Sequence, residues 1–381
     1  VLIAALAALS LFAQDEPEVW ARLPEPVTNN AVAGAEVDGR MMAYSFAGLH
    51  EGKTWRDVTA DAYACDLEAR TCREMAGLPD GIGRLASVAV NVGGQIYIFG
   101  GYTVAEDGSE ASTPEVWRFD PESETYTHIT DMPVPVDDTV ALPFQDRYIY
   151  LVSGWHDTDN IDLVQVYDVE EDRWFEATPF PGAPVFGHAG AIGWPFGPDT
   201  ELLICGGTIV VPPNSEGERR SFVATDSCWS GRIGTEPGEI DWQSVGPLPG
   251  GAFYRGTGLS LGIGRFAFIG GTMNSFNFNG IGYDGNPSSA RADVVIVDVL
   301  RSDVCRSSRV DVGSLMVAAD AGRRELPVMD IRGIVRGGPD IYVLGGMRAN
   351  QSVSDWVVAV PIYPTDDAIQ ITACDSNLGR H

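Results

Sequence analysis

The stretch Gln95-Ile-Tyr-Ile-Phe-Gly100-Gly101 decides the fold, because it recurs. The same apolar run ending in a Gly pair returns as Arg147-Tyr-Ile-Tyr-Leu-Val-Ser153-Gly154 and Glu201-Leu-Leu-Ile-Cys-Gly206-Gly207. It returns again as Arg265-Phe-Ala-Phe-Ile-Gly270-Gly271 and Asp340-Ile-Tyr-Val-Leu-Gly345-Gly346, and more weakly as Arg40-Met-Met-Ala-Tyr-Ser-Phe-Ala-Gly48. Six copies at spacings of about 50 to 75 residues predict a radial repeat fold, in which each unit buries its faces against its neighbours.

Each copy continues in the same way. Phe119-Asp120 is followed by Tyr126, and Tyr167-Asp168 by Trp174, as in hairpins whose two aromatics share one face. In the first copy Cys65 and Cys72 occupy those two positions, which predicts a cross-strand disulfide. Each unit leaves through an exit proline: Pro79, Pro133, Pro181, Pro249 and Pro327. The final unit has no outer strand after Asp355-Trp356-Val-Val-Ala-Val-Pro361. Val19-Trp20-Ala-Arg-Leu23-Pro24 carries the missing pattern, so the N-terminal segment is expected to complete the last unit and hide a sheet edge.

These Gly pairs, spaced aromatics and proline exits resemble the kelch-repeat family over roughly residues 18–362. The resemblance implies an all-β, six-bladed β-propeller of four-stranded blades. The expected organisation is a remnant of a secretory signal peptide at 1–13, a propeller at 14–362 and a C-terminal tail at 363–381.

Composition agrees with an all-β chain. The 44 Gly and 24 Pro suit short strands and tight turns, and no long segment after residue 14 has helical periodicity. A net charge of −28 would repel nucleic acid. Val1 to Phe12 is an apolar run of a length typical of a signal-peptide core and too short to span a bilayer. A secreted or periplasmic protein without membrane insertion, most simply a monomer, is the expectation. Six Cys in an exported chain favour disulfides, with Cys205–Cys228 and Cys305–Cys374 as the remaining pairs. No metal site or cofactor is expected, since Cys-x-x-Cys spacing is lacking and no His lies near a Cys.

Function is sought on the face where the variable loops open. One residue per unit, five to seven positions after each exit proline, is expected to circle the channel mouth: Asn30, Arg84, Asp138, His188, Arg255 and Arg332. Three Arg in one ring suit a carboxylate or phosphate ligand. They could equally pair with neighbours such as Asp137 or Asp330 and rigidify the loops. The loop candidates are His156, the charged stretch with Glu216, Glu218, Arg219 and Arg220, and the Asn- and aromatic-rich loop containing Phe276, Phe278 and Tyr283. That last loop could stack on a sugar or fold over the channel on its own Phe residues.

Within the kelch family the chain is most similar to exported bacterial sialic-acid mutarotases (N-acetylneuraminate epimerases). That resemblance implies an acidic sugar in the central funnel. Arg84, Arg255, Arg332, Arg219, Arg220, Asn30 and Tyr283 would bind it, and His188, Asp138, His156 or Glu218 would exchange protons with the hemiketal. The family places a Glu directly after the fourth Gly pair, where this chain has Thr208. The alternative is a non-catalytic propeller that binds a glycan or a protein. A copper-radical oxidase of the galactose-oxidase type, which also carries kelch repeats, would need paired His and a free Cys. The five His here are scattered.

Overall fold

A computed structural model describes residues 19–193, 200–213, 219–262, 264–301, 306–314, 316–319, 322–361 and 368–373. The expected signal-peptide remnant and the Cys305–Cys374 pair lie outside the described residues. The chain forms six blades around a central channel. Among the described residues the only helical element is the turn Trp55–Asp57, and no helix is long and apolar enough to cross a membrane.

Blade one comprises Ala31–Val37, Arg40–Leu49, Val58–Asp66 and Thr71–Met75, from channel to rim. Blade two is Val88–Val92, Gln95–Phe99, Val116–Asp120 and Thr125–His128. Blade three is Ala141–Phe144, Tyr148–Val152, Val164–Asp168 and Arg173–Glu176. Blade four is Ala189–Gly193, Glu201–Cys205, Ser227–Ile233 and Ile240–Pro247. Blade five is Thr257–Gly262, Arg265–Ile269, Asp293–Arg301 and Arg306–Ser314, with Ala368–Ala373 as a fifth strand on its rim. The described part of the tail is therefore built into a sheet. Blade six is Val335–Gly337, Asp340–Leu344 and Trp356–Pro361, and Ala21–Arg22 completes it by pairing with Val357 and Trp356. The ring closes as the sequence predicts.

The core lies between blades. The second strands alternate so that both faces are buried; in blade two, Ile96 and Ile98 pack toward blade one, and Tyr97 and Phe99 toward blade three. The paired aromatics complete these layers. Phe119 and Tyr126 are register partners 4.9 Å apart between ring centres, and Tyr167 and Trp174 are partners at 5.1 Å. Cys65 faces Cys72 in the equivalent register and is bonded to it, as Cys205 is to Cys228. Replacing Cys65 and Cys72 by Ser is expected to cost about 2 kcal/mol, because the closed loop is short. A lower urea midpoint checks this.

The Gly pairs join the blades. The second Gly of each pair donates its N–H to a carbonyl of the next blade's entry segment. The six bonds are Gly48 to Arg84, Gly101 to Val136, Gly154 to Val185, Gly207 to Phe253, Gly271 to Val328 and, across the closure, Gly346 to Val27. Close approach of two backbones leaves no room for a Cβ. One on Gly206, whose φ is +73°, would collide with the Phe253 carbonyl.

Candidate functional site

Each entry segment makes one antiparallel bridge to its own blade, at Thr28, Leu85, Asp137, Phe186, Tyr254 and Met329. The residue after each bridge turns into the left-handed region: Asn29, Ala86, Asp138, Gly187, Arg255 and Asp330, with φ of 55°, 55°, 51°, 65°, 49° and 61°. The turn aims each N–H at the preceding blade. Ala86 donates to Asn29, Asp138 to Ala86, Gly187 to Asp138, Arg255 to Gly187, Asp330 to Arg255 and Asn29 to Asp330. The six bonds form a closed backbone belt around the channel.

This belt corrects the expected ring. Asp138 and Arg255 belong to it. Asn30 and His188 sit one residue beyond it and Arg332 two beyond, while Arg84 sits two before. The reason is linker length: the belt residue follows its proline by three positions at Pro327 to Asp330 and by seven at Pro79 to Ala86. Arg84 fills a slot that Val136, Val185, Phe253, Val328 and Val27 fill elsewhere. It reaches Asp80 and, at 3.7 Å, Glu115, not the channel axis. Asn30 donates to the Ser45 hydroxyl at 2.7 Å.

Behind the belt, the charged side chains neutralise one another. Arg255 donates to Asp138 at 2.6 Å and contacts Asp330 at 3.4 Å. Arg332 pairs with Asp138, lies 3.8 Å from Asp330 and donates to the Asn29 amide oxygen at 2.7 Å. The Thr28 hydroxyl donates to Asp330 at 2.9 Å. All four charged groups are buried. Burial pushes the Asp138 carboxyl up, but Arg255 and Arg332 outweigh it and hold the group below its ordinary value. Burial wins at Asp330, which is raised despite the same two Arg. Asp137 turns away to accept from the Ser112 hydroxyl, and burial followed by the Asp138 charge raises it strongly. Two of the three expected ring Arg therefore rigidify the centre through Asp138 and Asp330, and the third pairs off axis.

The loop after the fifth Gly pair folds over the mouth. Phe276 is buried against Tyr254, Phe186, Met329 and Met347, and the Arg255 guanidinium lies 5.1 Å from its ring centre. Phe278 reaches Leu49, Leu85 and Tyr102 of blades one and two. Thr208, buried directly after the fourth Gly pair, bonds to the Ser275 hydroxyl of this loop at 2.5 Å. It clamps the roof where the mutarotase pattern has an acid.

What the loop face exposes is an aromatic and cationic patch. The Tyr283 ring stacks on Phe222 at 4.2 Å, Phe222 meets Trp155, and Arg220 lies over both Trp155 and Phe222. Arg220 also donates to the Thr158 carbonyl, and Arg219 is exposed beside it. His156 stands at the rim, tied to the Pro135 carbonyl at 2.7 Å. Glu216 and Glu218 lie outside the described residues. His188 is buried, and loss of hydration lowers its pKa to about 4. The structure thus brings Arg220 and Tyr283 together; the charges of Arg255 and Asp138 reach the Tyr283 hydroxyl, whereas His188 is buried. Among the described residues no cluster of three or more metal-ligating side chains occurs.

Comparison with known proteins agrees with this architecture. The Kelch motif model matches residues 83–133, which include blade two. Kelch-like protein 15 of Gallus gallus is 29% identical over 151 residues, covering 36% of this chain and 29% of that protein. Its Homo sapiens counterpart is 26% identical over 151 residues, with 36% and 24% covered. Kelch-like protein 25 of Xenopus tropicalis is 28% identical over 163 residues, with 43% and 25% covered. The chain thus spans less than a third of the length of these relatives. The solved structure of YjhT superposes with a TM-score of 0.61, covering 92% of this chain and 99% of that one at 14% identity, a likeness of fold. The chain is a six-bladed β-propeller with a kelch motif at residues 83–133.

Proposed function

We propose that this protein is a non-catalytic binding propeller whose partner is a protein docking on the loop face. The observation that carries this is where apolar side chains meet solvent. Of the five large hydrophobics most exposed among the described residues, four belong to the loops after the fourth and fifth Gly pairs: Val223 at 45%, Met273 at 55%, Ile281 at 37% and Tyr283 at 43%. The fifth, Ile82, lies in the segment entering blade two, on the same face. Aliphatic exposure beside an aromatic stack and Arg219 and Arg220 suits a protein surface with apolar anchors and an acidic group. Of the acid–base residues expected at the centre, Asp138 and His188 are buried and Asp138 is ion-paired. The two disulfides support an oxidising, extracytoplasmic setting.

The test is selection of displayed peptides on the folded propeller. Enriched peptides should combine acidic and bulky apolar residues, and Tyr283→Ala with Arg220→Glu should weaken them at least tenfold. Peptides held equally by this variant would sink the reading. The Tyr283–Phe222 stack beside Arg219 and Arg220 also favours a second reading, an acidic sugar stacked on Tyr283. Saturation-transfer NMR with sialic and uronic acids tests it. On that reading sugar contacts appear while anomer exchange stays at its buffer rate; faster exchange would instead restore a mutarotase.

A further inference from the structure

The hairpin after the second Gly pair, Tyr102–Val104 with Glu110–Ser112, stands beside the roof of the channel mouth. Directly opposed residues of an antiparallel pair share a face, so Tyr102, Val104, Glu110 and Ser112 point the same way. That face is the inner one. Tyr102 and Val104 are buried in the cluster on which Phe278 of the roof packs, and Ser112 donates to Asp137 beside the belt. Glu110 therefore aims its carboxyl under the edge of the roof while remaining exposed to solvent.

The groups around it do not neutralise it. Asn277 accepts the Phe278 N–H on its amide oxygen at 2.8 Å, which leaves its NH2 to donate to the Glu110 carboxylate. The charges that reach Glu110 are Arg255, Asp138 and Asp137, and the hydroxyls of Tyr102 and Tyr283 face it as well. Arg255 is already committed to Asp138 and Asp330. Among the described residues no cation forms an ion pair with Glu110. Loss of hydration raises its carboxyl above the ordinary value; Arg255 offsets this only in part, Asp138 adds to it and the Asn277 bond subtracts from it. An accessible carboxylate in that position gains from a cation brought to it.

We propose that Glu110, held by Asn277 and flanked by the Tyr283 hydroxyl, is the receptor for a basic side chain, Lys or Arg, of the protein partner on the loop face. The inference rests on the docking reading above and adds a basic group to the acidic and apolar ones already assigned to that partner. The incoming N–H donors bond to the carboxylate and to the Tyr283 oxygen. Arg219 and Arg220 repel the same side chain, so the partner's base is steered to Glu110 and its acid to the arginines, which fixes the direction of docking.

The experiment is selection of a random displayed peptide library on the wild-type propeller and on Glu110→Gln. Peptides enriched on the wild type should carry Lys or Arg at a fixed spacing from the apolar anchor, and those enriched on the variant should lack that preference. Replacing the base by norleucine in a synthetic peptide should weaken binding to the wild type at least tenfold and binding to Glu110→Gln about twofold or less. The advantage of the base should shrink as pH falls from about 7 to about 4.5, because protonation removes the Glu110 charge. Glu110→Gln should melt no lower than the wild type, since an unpaired charge leaves an enclosed site. Enriched peptides without a fixed base, or an equal loss on both proteins, would overturn this inference and leave the docking reading standing. A library from which nothing is enriched would overturn both. A variant that melts several degrees lower would mean that the carboxylate already has a partner, and would sink the assignment.

Discussion

Replacing Arg255 by Ala is expected to lower stability by about 3–5 kcal/mol, a drop of about 5 °C in melting temperature for a chain of this size. Arg255 is fully buried, and its guanidinium is the 2.6 Å partner of Asp138 and a 3.4 Å neighbour of Asp330. Without it, both carboxylates share only Arg332 as a cationic partner in a buried site. The roof loses a contact too, since the same guanidinium lies over the Phe276 and Tyr254 rings. Replacing Arg255 and Asp138 together, by Met and Leu, should recover much of the loss, because neither charge is then stranded. Calorimetry on the single and double variants checks both. A ligand-binding arm held away from acids would behave in the opposite way, its removal leaving stability unchanged or raised. A melting shift below about 1 °C in Arg255→Ala would therefore return Arg255 to the list of ligand-binding residues.

The architecture was legible because the repeat is dictated by backbone packing. The second Gly of each pair recurs where one blade's N–H must reach the next blade's carbonyl, and a Cβ at that position would run into the blade's own entry segment. Cys65 and Cys72 could be read as a pair because register partners in neighbouring strands face each other. The channel ring was misread for an equally physical reason. Its members are defined by a left-handed turn, and the number of residues between proline and turn is free to vary. Asn29, Asp138, Gly187 and Asp330 are residue types that tolerate this conformation, so residue type was a better guide than counting. Ala86 and Arg255 adopt it without that tolerance, and only the belt's hydrogen bonds account for them. The roof was half legible. Phe276 and Phe278 were visible as a self-packing alternative, but the contact of Phe278 with blades one and two joins residues far apart in sequence. The clamp between Thr208 and Ser275 likewise has no local signature.

The second large effect is acid sensitivity, and its sign follows from His188. Burial lowers the folded-state pKa to about 4 from an ordinary 6.5. As pH falls below about 6.5 the unfolded chain takes up a proton at this position and the folded protein does not. Stability is thus fully present above about pH 6.5 and is lost progressively down to about pH 4, by about 3 kcal/mol in all. Asp137 and Asp330 act in the opposite sense. Their raised values mean that the folded state binds protons more readily than the unfolded chain, so their contribution falls as pH rises above 3.8. Asp138 is depressed, and its contribution is lost only below that pH. A single pH profile mixes these terms. The difference between wild type and His188→Leu cancels the carboxylate contributions to first order. Urea denaturation from pH 7 to pH 4 should therefore show the wild type losing about 3 kcal/mol relative to the variant, with most of the change between pH 6 and pH 4.5. Parallel profiles would mean that the imidazole takes up its proton in the folded state.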